Sequence, residues 1–194
     1  MRKIAITGDV ASGKTVIANY LQSLGEVVVD SDATAHEILM SGVLNDELRD
    51  YFGEDIFVDG EIDRKLLLKK AFADEKNRHF LNQLIWTKVK ISLDEEFSIL
   101  QEQQVERVFV VIPRLFETDW ICDYMDIWLV SSDKDLRIKR MRNRGYDEEE
   151  IELRLRVPFG LPKASVQMKI LVNDDIIAAL EQKVKGLLCQ DKVL

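Results

Sequence analysis

Residues 4–15 read Ile-Ala-Ile-Thr-Gly-Asp-Val-Ala-Ser-Gly-Lys-Thr. A short apolar run, Ile4 to Ile6, leads into Gly8, four further residues, and then Gly13-Lys14-Thr15. That is the complete G-x-x-x-x-G-K-[ST] pattern, set after an expected strand and before an expected helix. The two glycines reach backbone angles closed to other residues. Successive N–H groups along Gly8, Asp9, Val10, Ala11, Ser12, Gly13, Lys14 and Thr15 can therefore turn inward on phosphate oxygens. Lys14 would set a cation on the β- and γ-phosphates, the Thr15 hydroxyl would join a Mg²⁺ shell, and the helix N-terminus favours the same anion. A bare glycine turn needs none of the last three residues. The pattern predicts a nucleoside triphosphate site, with ATP and Mg²⁺ as its ligands.

Downstream, Ile17, Tyr20, Leu21 and Leu24 follow i, i+3, i+4, i+7 spacing, a helix with one buried face, and Gly25 can cap it. Val27-Val28-Val29 reads as a strand buried on both faces of a parallel sheet. Strand, helix and strand in about thirty residues make a right-handed βαβ unit. The second strand ends in Asp30-Ser31-Asp32, where open α/β sheets place their ligands. Either aspartate can instead cap a helix beginning near Ala33, and one residue can do both.

Residues 33–104 read mainly as helices, broken between Gly53 and Gly60, where Asp59-Gly60 signals a turn. Asp63 can cap a helix from Arg64. A long helix is expected from about Asp74 to Gln104, with Leu81, Ile85, Val89, Leu93, Phe97 and Leu100 as a core stripe. So large a helical excursion exceeds a simple crossover and predicts a substrate-facing subdomain. Val108 to Ile112, Ile127 to Val130 and Ile170 to Val172 complete five short apolar strands, and a last helix runs from Ile176 to Leu188. The fold class expected is α/β: a five-stranded parallel sheet flanked by helices, of the P-loop nucleotide-kinase type, in a single domain.

Between the fourth and fifth strands the chain carries Arg137, Lys139, Arg140, Arg142 and Arg144, then Asp147 and Glu150 in capping-box spacing. Phosphoryl transfer is catalysed by positioning and charge neutralisation, so arginines near a γ-phosphate matter. Arg140 and Arg144 are four apart and share a helix face, within reach of one polyphosphate. Arg137 and Lys139 read as surface charges. The whole cluster can also be a solvated face paired with the acidic run at 147–150.

The 194 residues are 46 % hydrophobic and 32 % charged, as in a soluble globular protein. A net charge of −8 counts against a protein that coats nucleic acid or a membrane surface, leaving room for a local basic patch. Cys122 and Cys189 have no C-x-x-C spacing, which makes a structural zinc site unexpected and a reducing cytoplasm the natural setting. The first strand begins at once, so no signal peptide is expected, and no apolar run reaches about 18 residues. No N-K-x-D guanine motif follows the loop. A small-molecule kinase fits better than a GTPase or motor. Oligomeric state has no signature here.

Near end to end, the chain resembles the dephospho-coenzyme A kinases. The resemblance rests on the 8–15 loop, Val28-Val29-Asp30-Ser31-Asp32 with Ala35-His36-Glu37, and Phe52-Gly53-Glu54-Asp55-Ile56 with Ile62-Asp63-Arg64. Leu81-Asn82, Ile112-Pro113 and Leu115-Phe116-Glu117 follow, then Arg140 with Arg144, and Val172-Asn173-Asp174. It implies transfer of the ATP γ-phosphate to the ribose 3′-hydroxyl of dephospho-coenzyme A. It also implies Asp32 as general base, Arg140 and Arg144 as arginines of a lid over about 137–165, and a helical insertion holding the acceptor. Departures from the family pattern are Trp86-Thr87 for His-Pro, Val111 for an acidic residue, Arg114 for a leucine, and Pro158 and Ala164, beside Lys163, in the lid. The same fold admits a kinase for another nucleoside or nucleotide, and a non-catalytic ATP-binding protein.

Overall fold

Five apolar runs become one parallel sheet because each is joined to the next by a crossover of about a dozen residues or more, too long for a hairpin turn. The computed structural model describes residues 1–156 and 168–190. In chain order the elements begin β1 (Arg2–Gly8), α1 (Lys14–Ser23), β2 (Val27–Asp30), α2 (Ser31–Met40) and α3 (Asn45–Phe52). A small hairpin follows, β3 (Phe57–Val58) and β4 (Glu61–Ile62), then α4 (Arg64–Ala71) and α5 (Glu75–Glu102). The chain continues through β5 (Arg107–Val111), β6 (Asp126–Ser131), α6 (Lys134–Asn143), α7 (Glu148–Arg156), β7 (Met168–Val172) and α8 (Ile177–Gln190). Two compact units result, Met1–Asp30 with Val105–Leu194, and Ser31–Gln104. Residues 157–165 of the expected lid, Pro158, Lys163 and Ala164 among them, lie outside the described residues.

The first unit holds the sheet, in the order β2-β5-β1-β6-β7. β1 sits at its centre, paired in parallel with β5 through Ile4↔Phe109 and with β6 through Ile6↔Trp128. Alternation sends Ile4 and Ile6, with Phe109, Val111, Trp128 and Val130, to one face, where α1 packs through Ile17 and Leu21, and α8 through Leu180, Val184 and Leu188. The Phe109 and Trp128 rings meet at 5.2 Å between centroids. α1 ends as its glycine requires: Gly25 takes φ +81°, its N–H reaches the Gln22 carbonyl, and the Glu26 N–H reaches that of Leu21, a full Schellman closure.

Cover on both faces holds for the central strands and fails at the edges. Among the described residues β2 pairs only with β5, and Val27 and Val28 are half-buried while Val29 is buried. β7 pairs only with β6 among the described residues, and leaves Ile170 62 % exposed. A continuous apolar run looks the same at an edge as at the centre, because strand order is decided by long-range pairing.

The second unit folds around Leu39, Leu44, Leu48, Phe52, Ile56, Ile62, Leu67 and Leu81. Asp59 and Gly60 both take positive φ, 53° and 85°, so the expected turn is a two-residue hairpin loop joining β3 to β4. The Asp63 carboxylate accepts from the Lys65 and Leu66 amides and starts α4, and that of Asp74 accepts from Asn77 and starts α5. Leu81, Val89, Leu93 and Phe97 are the buried stripe of α5, with Tyr51 stacked on Phe80 at 3.7 Å.

One acidic contact in this unit is unfavourable. Burial, and then the Glu37 carboxylate, push the Glu96 carboxyl above its ordinary value of 4.5. The folded state thus holds that proton more tightly than the unfolded chain. The group favours folding most below about pH 4.5, and the benefit is lost as pH rises through its raised pKa. Glu96→Gln is expected to raise the thermal midpoint at pH 7 by about 1–2 °C, the gain vanishing near pH 4, in melts at both pH values.

Candidate phosphate-binding site

Between β1 and α1 the backbone turns through alternating left-handed positions: Gly8 at φ +145°, Ala11 at φ +58° and Gly13 at φ +115°. Such alternation points successive N–H groups into one concavity. The glycines are required by space as well as by angle. A Cβ on Gly8 would lie 2.1 Å from the Val130 carbonyl oxygen, and one on Gly13 would lie 2.1 Å from Asn173 Nδ2. Ala11 holds its unusual angle because its methyl is buried with Met141 and Ile151. Among the described residues no side chain caps the N-terminus of α1, and no acidic residue occupies its first turn, so its positive end favours an anion.

Lys14 folds back across the loop, its Nζ donating to the Gly8 and Asp9 carbonyls at 2.8 Å each. Thr15 is exposed in the first turn of α1. At these two positions the spacing expects a phosphate-facing ammonium and a hydroxyl.

Arg140 reaches the loop from α6. Its Nη1 donates to the Ala11 carbonyl at 3.2 Å and to Ser132 Oγ at 2.9 Å, and its Nη2 donates to the Asn173 carbonyl at 2.8 Å. Asn173, buried at the end of β7, returns a bond from Nδ2 to the Ser12 carbonyl at 2.7 Å. The guanidinium thus ties the loop to the ends of β6 and β7. The Asp133 amide, donating to Asp174 Oδ1, holds that carboxyl below the usual range, helped by Ser132, Arg140 and Lys183. Arg140→Ala is expected to destabilise the protein by about 2–4 kcal/mol in denaturant unfolding, because buried acceptors lose a charged donor. Arg140→Lys should recover only part, since an ammonium cannot reproduce the planar fork.

The rest of the cluster divides. Lys139 is exposed, and Arg142 pairs with Glu148 at 2.6 Å, the solvated-face arrangement. Asp147 and Glu150 exchange amide bonds as the capping box requires. Arg144 stands just past α6 with its side chain exposed. Arg137 is no surface charge: its guanidinium lies 3.1 Å from the Asp9 carboxylate and its side chain is 12 % exposed. Helix α6 turns that face onto the loop because Met141, one turn beyond, is buried against Ala11.

Asp30 closes β2 and is exposed, with Val111 as its neighbour across the ladder. Helix α2 starts at Ser31, two residues before the expected Ala33, so Asp32 lies exposed in its first turn and not at the cap. Glu117 is ion-paired with Arg114. Among the described residues no cluster of three or more His, Cys, Asp and Glu is arranged to hold a metal. The exposed Thr15 hydroxyl is an oxygen donor of the kind that Mg²⁺ takes alongside its waters. No helix among the described residues is long and apolar enough to cross a membrane.

Asn173 and Ser132 are the residues whose part in the site sequence spacing alone misses. A buried Asn at the end of an apolar strand is the available signal, and it carries no partner's name.

A sequence model of the dephospho-CoA kinases matches residues 2–185. The dephospho-CoA kinase of Streptococcus pneumoniae is 35 % identical over 166 residues, covering 82 % of this chain and 81 % of that one. TT1252 of Thermus thermophilus, a crystal structure, is 31 % identical with a TM-score of 0.79 over 97 % of each chain. A dephospho-CoA kinase from Campylobacter jejuni, 22 % identical, shares the fold with a TM-score of 0.68 over 98 % of this chain and 97 % of its own. With a family match spanning the sheet, the phosphate loop and the helical unit, this P-loop kinase belongs to the dephospho-CoA kinase family.

Proposed function

We propose that this chain transfers the γ-phosphoryl group of ATP to the ribose 3′-hydroxyl of dephospho-CoA, giving CoA and ADP. The observation that carries the reading is the loop of residues 8–15, with its alternating left-handed backbone and uncapped helix end, inside a family match over residues 2–185.

In the reaction the acceptor oxygen attacks the γ-phosphorus as the bond to the β,γ-bridging oxygen breaks. The proton leaves the hydroxyl for the Asp32 carboxylate. The loop amides and Lys14 hold the β- and γ-phosphates in line. Lys14 leaves its two carbonyl partners for phosphate oxygens, a stronger charge-assisted pairing. Arg140 keeps the loop in shape, and Arg144 supplies mobile positive charge to the transferring group. Thr15 would hold Mg²⁺, which would neutralise phosphate charge when bound. The helical unit holds the acceptor. Cys122 and Cys189, both free and exposed, fit a reducing cytoplasm.

A coupled assay of ADP release with ATP, Mg²⁺ and dephospho-CoA tests this. Turnover with dephospho-CoA that exceeds turnover with nucleosides and other nucleotides is expected. Turnover at background with dephospho-CoA would reject it.

A further inference from the structure

Asp9 is the one acidic residue in the phosphate loop, residues 8–15. It sets a negative charge on a segment whose backbone and helix end otherwise attract anions. Its side chain is 36 % exposed. A nucleoside triphosphate brings several negative charges to the same short loop, within the roughly 8 Å over which salt leaves charges able to repel one another. Left alone, Asp9 opposes the ligand that the loop is built to hold.

Arg137 answers that charge. The guanidinium is 3.1 Å from the Asp9 carboxylate, is almost enclosed at 12 % exposure, and keeps a buried Nε that makes no hydrogen bond to any described residue. Surface ion pairs of flexible side chains contribute little, but this one is held from both sides. On α6, one turn after Arg137, Arg140 is anchored to the Ala11 and Asn173 carbonyls and Met141 is buried against Ala11. The helix therefore cannot carry Arg137 away from Asp9 without breaking those contacts.

We propose that Arg137 is a positioning residue for nucleotide binding: it neutralises and pins the Asp9 carboxylate, so that the loop offers its amides to the polyphosphate without a competing charge. This rests on the reading of the loop as an ATP site. Arg137 touches Asp9 and acts on the nucleotide only through it.

The test is equilibrium binding of ATP with Mg²⁺, by titration calorimetry, to wild type, Asp9→Asn, Arg137→Gln and the double variant. Arg137→Gln should weaken binding by about tenfold or more at low salt, and by clearly less at about 0.5 M salt, where the exposed carboxylate is screened. Asp9→Asn should bind about two- to fivefold tighter, because the residual repulsion from a carboxylate that stays 36 % exposed is removed. The double variant should recover most of the affinity that Arg137→Gln loses. A double variant as weak as Arg137→Gln means that Arg137 grips the phosphate itself, and overturns the proposal. Asp9→Asn as weak as Arg137→Gln means a purely structural pin, and also overturns it. Should Arg137→Gln fail to fold, the Asp9→Asn arm decides alone, tighter binding upholding the assignment and weaker binding rejecting it. Wild type failing to bind ATP removes the functional reading and this inference together, whereas wild type binding with the wrong order of variants removes only the inference.

Discussion

Asp32→Asn is expected to lower kcat about 100- to 10,000-fold with KM for ATP changed by no more than about twofold. A general base acts only as the hydroxyl proton leaves, so its loss appears in the chemical step and not in nucleotide binding. The stability change should be small. Asp32 is exposed in the first turn of α2, where an acidic side chain interacts with the helix end, a contribution of about 0.3–1 kcal/mol. A rate loss of some 3–5 kcal/mol against so small a stability loss would separate catalysis from scaffolding. Asp32→Glu, with its longer reach, should retain partial activity. Steady-state kinetics of the three proteins with ATP and dephospho-CoA is the measurement, and an Asn variant within tenfold of wild type in kcat would exclude the base assignment.

Gly13→Ala is the second large effect, and it should act on binding. Gly13 holds φ +115°, where an L side chain is strained, costing about 1–3 kcal/mol. The new methyl would also sit 2.1 Å from Asn173 Nδ2, which donates to the Ser12 carbonyl. Displacing that amide leaves buried polar groups without partners, about 1–3 kcal/mol more. The loop must move, and its amides lose their common focus. We expect a combined destabilisation of about 2–6 kcal/mol and a loss of ATP affinity of about 100-fold or more, read by thermal unfolding and by nucleotide titration. Adding Asn173→Ala relieves the collision while leaving the angle strained. It should restore part of the stability but little of the affinity. Full recovery of binding in that double variant would show that the collision alone, and not the backbone angle, makes Gly13 necessary.

These two residues mark how far local reading extends. Gly8, Gly13, Lys14 and Thr15 are legible because a phosphate nest is made by consecutive residues, so its requirements are written in consecutive letters. The caps at Asp63 and Asp147 are legible for the same reason, each depending on amides two or three residues away. The half-burial of Val27 and Val28 is not legible, since an apolar run does not state whether it will have one neighbour or two. The start of α2 at Ser31 is not legible either, because a strand and a helix can abut at Asp30 and Ser31 with no turn residue between them.

By itself the sequence determined the α/β class, the strand–loop–helix with the phosphate-loop pattern, and the family, all of which depend on short-range periodicity or on ordered motifs. Only the tertiary structure decided which cation serves which end. Five positive charges within eight residues are equivalent as letters. The burial of Met141 against Ala11 turns one face of α6 onto the loop, assigning Arg137 to Asp9 and Arg140 to the loop carbonyls and leaving Lys139 and Arg142 to solvent. The reason is physical. A charge takes its role from what lies within a few ångströms of it, and residues 9 and 137 become neighbours only when the chain has packed.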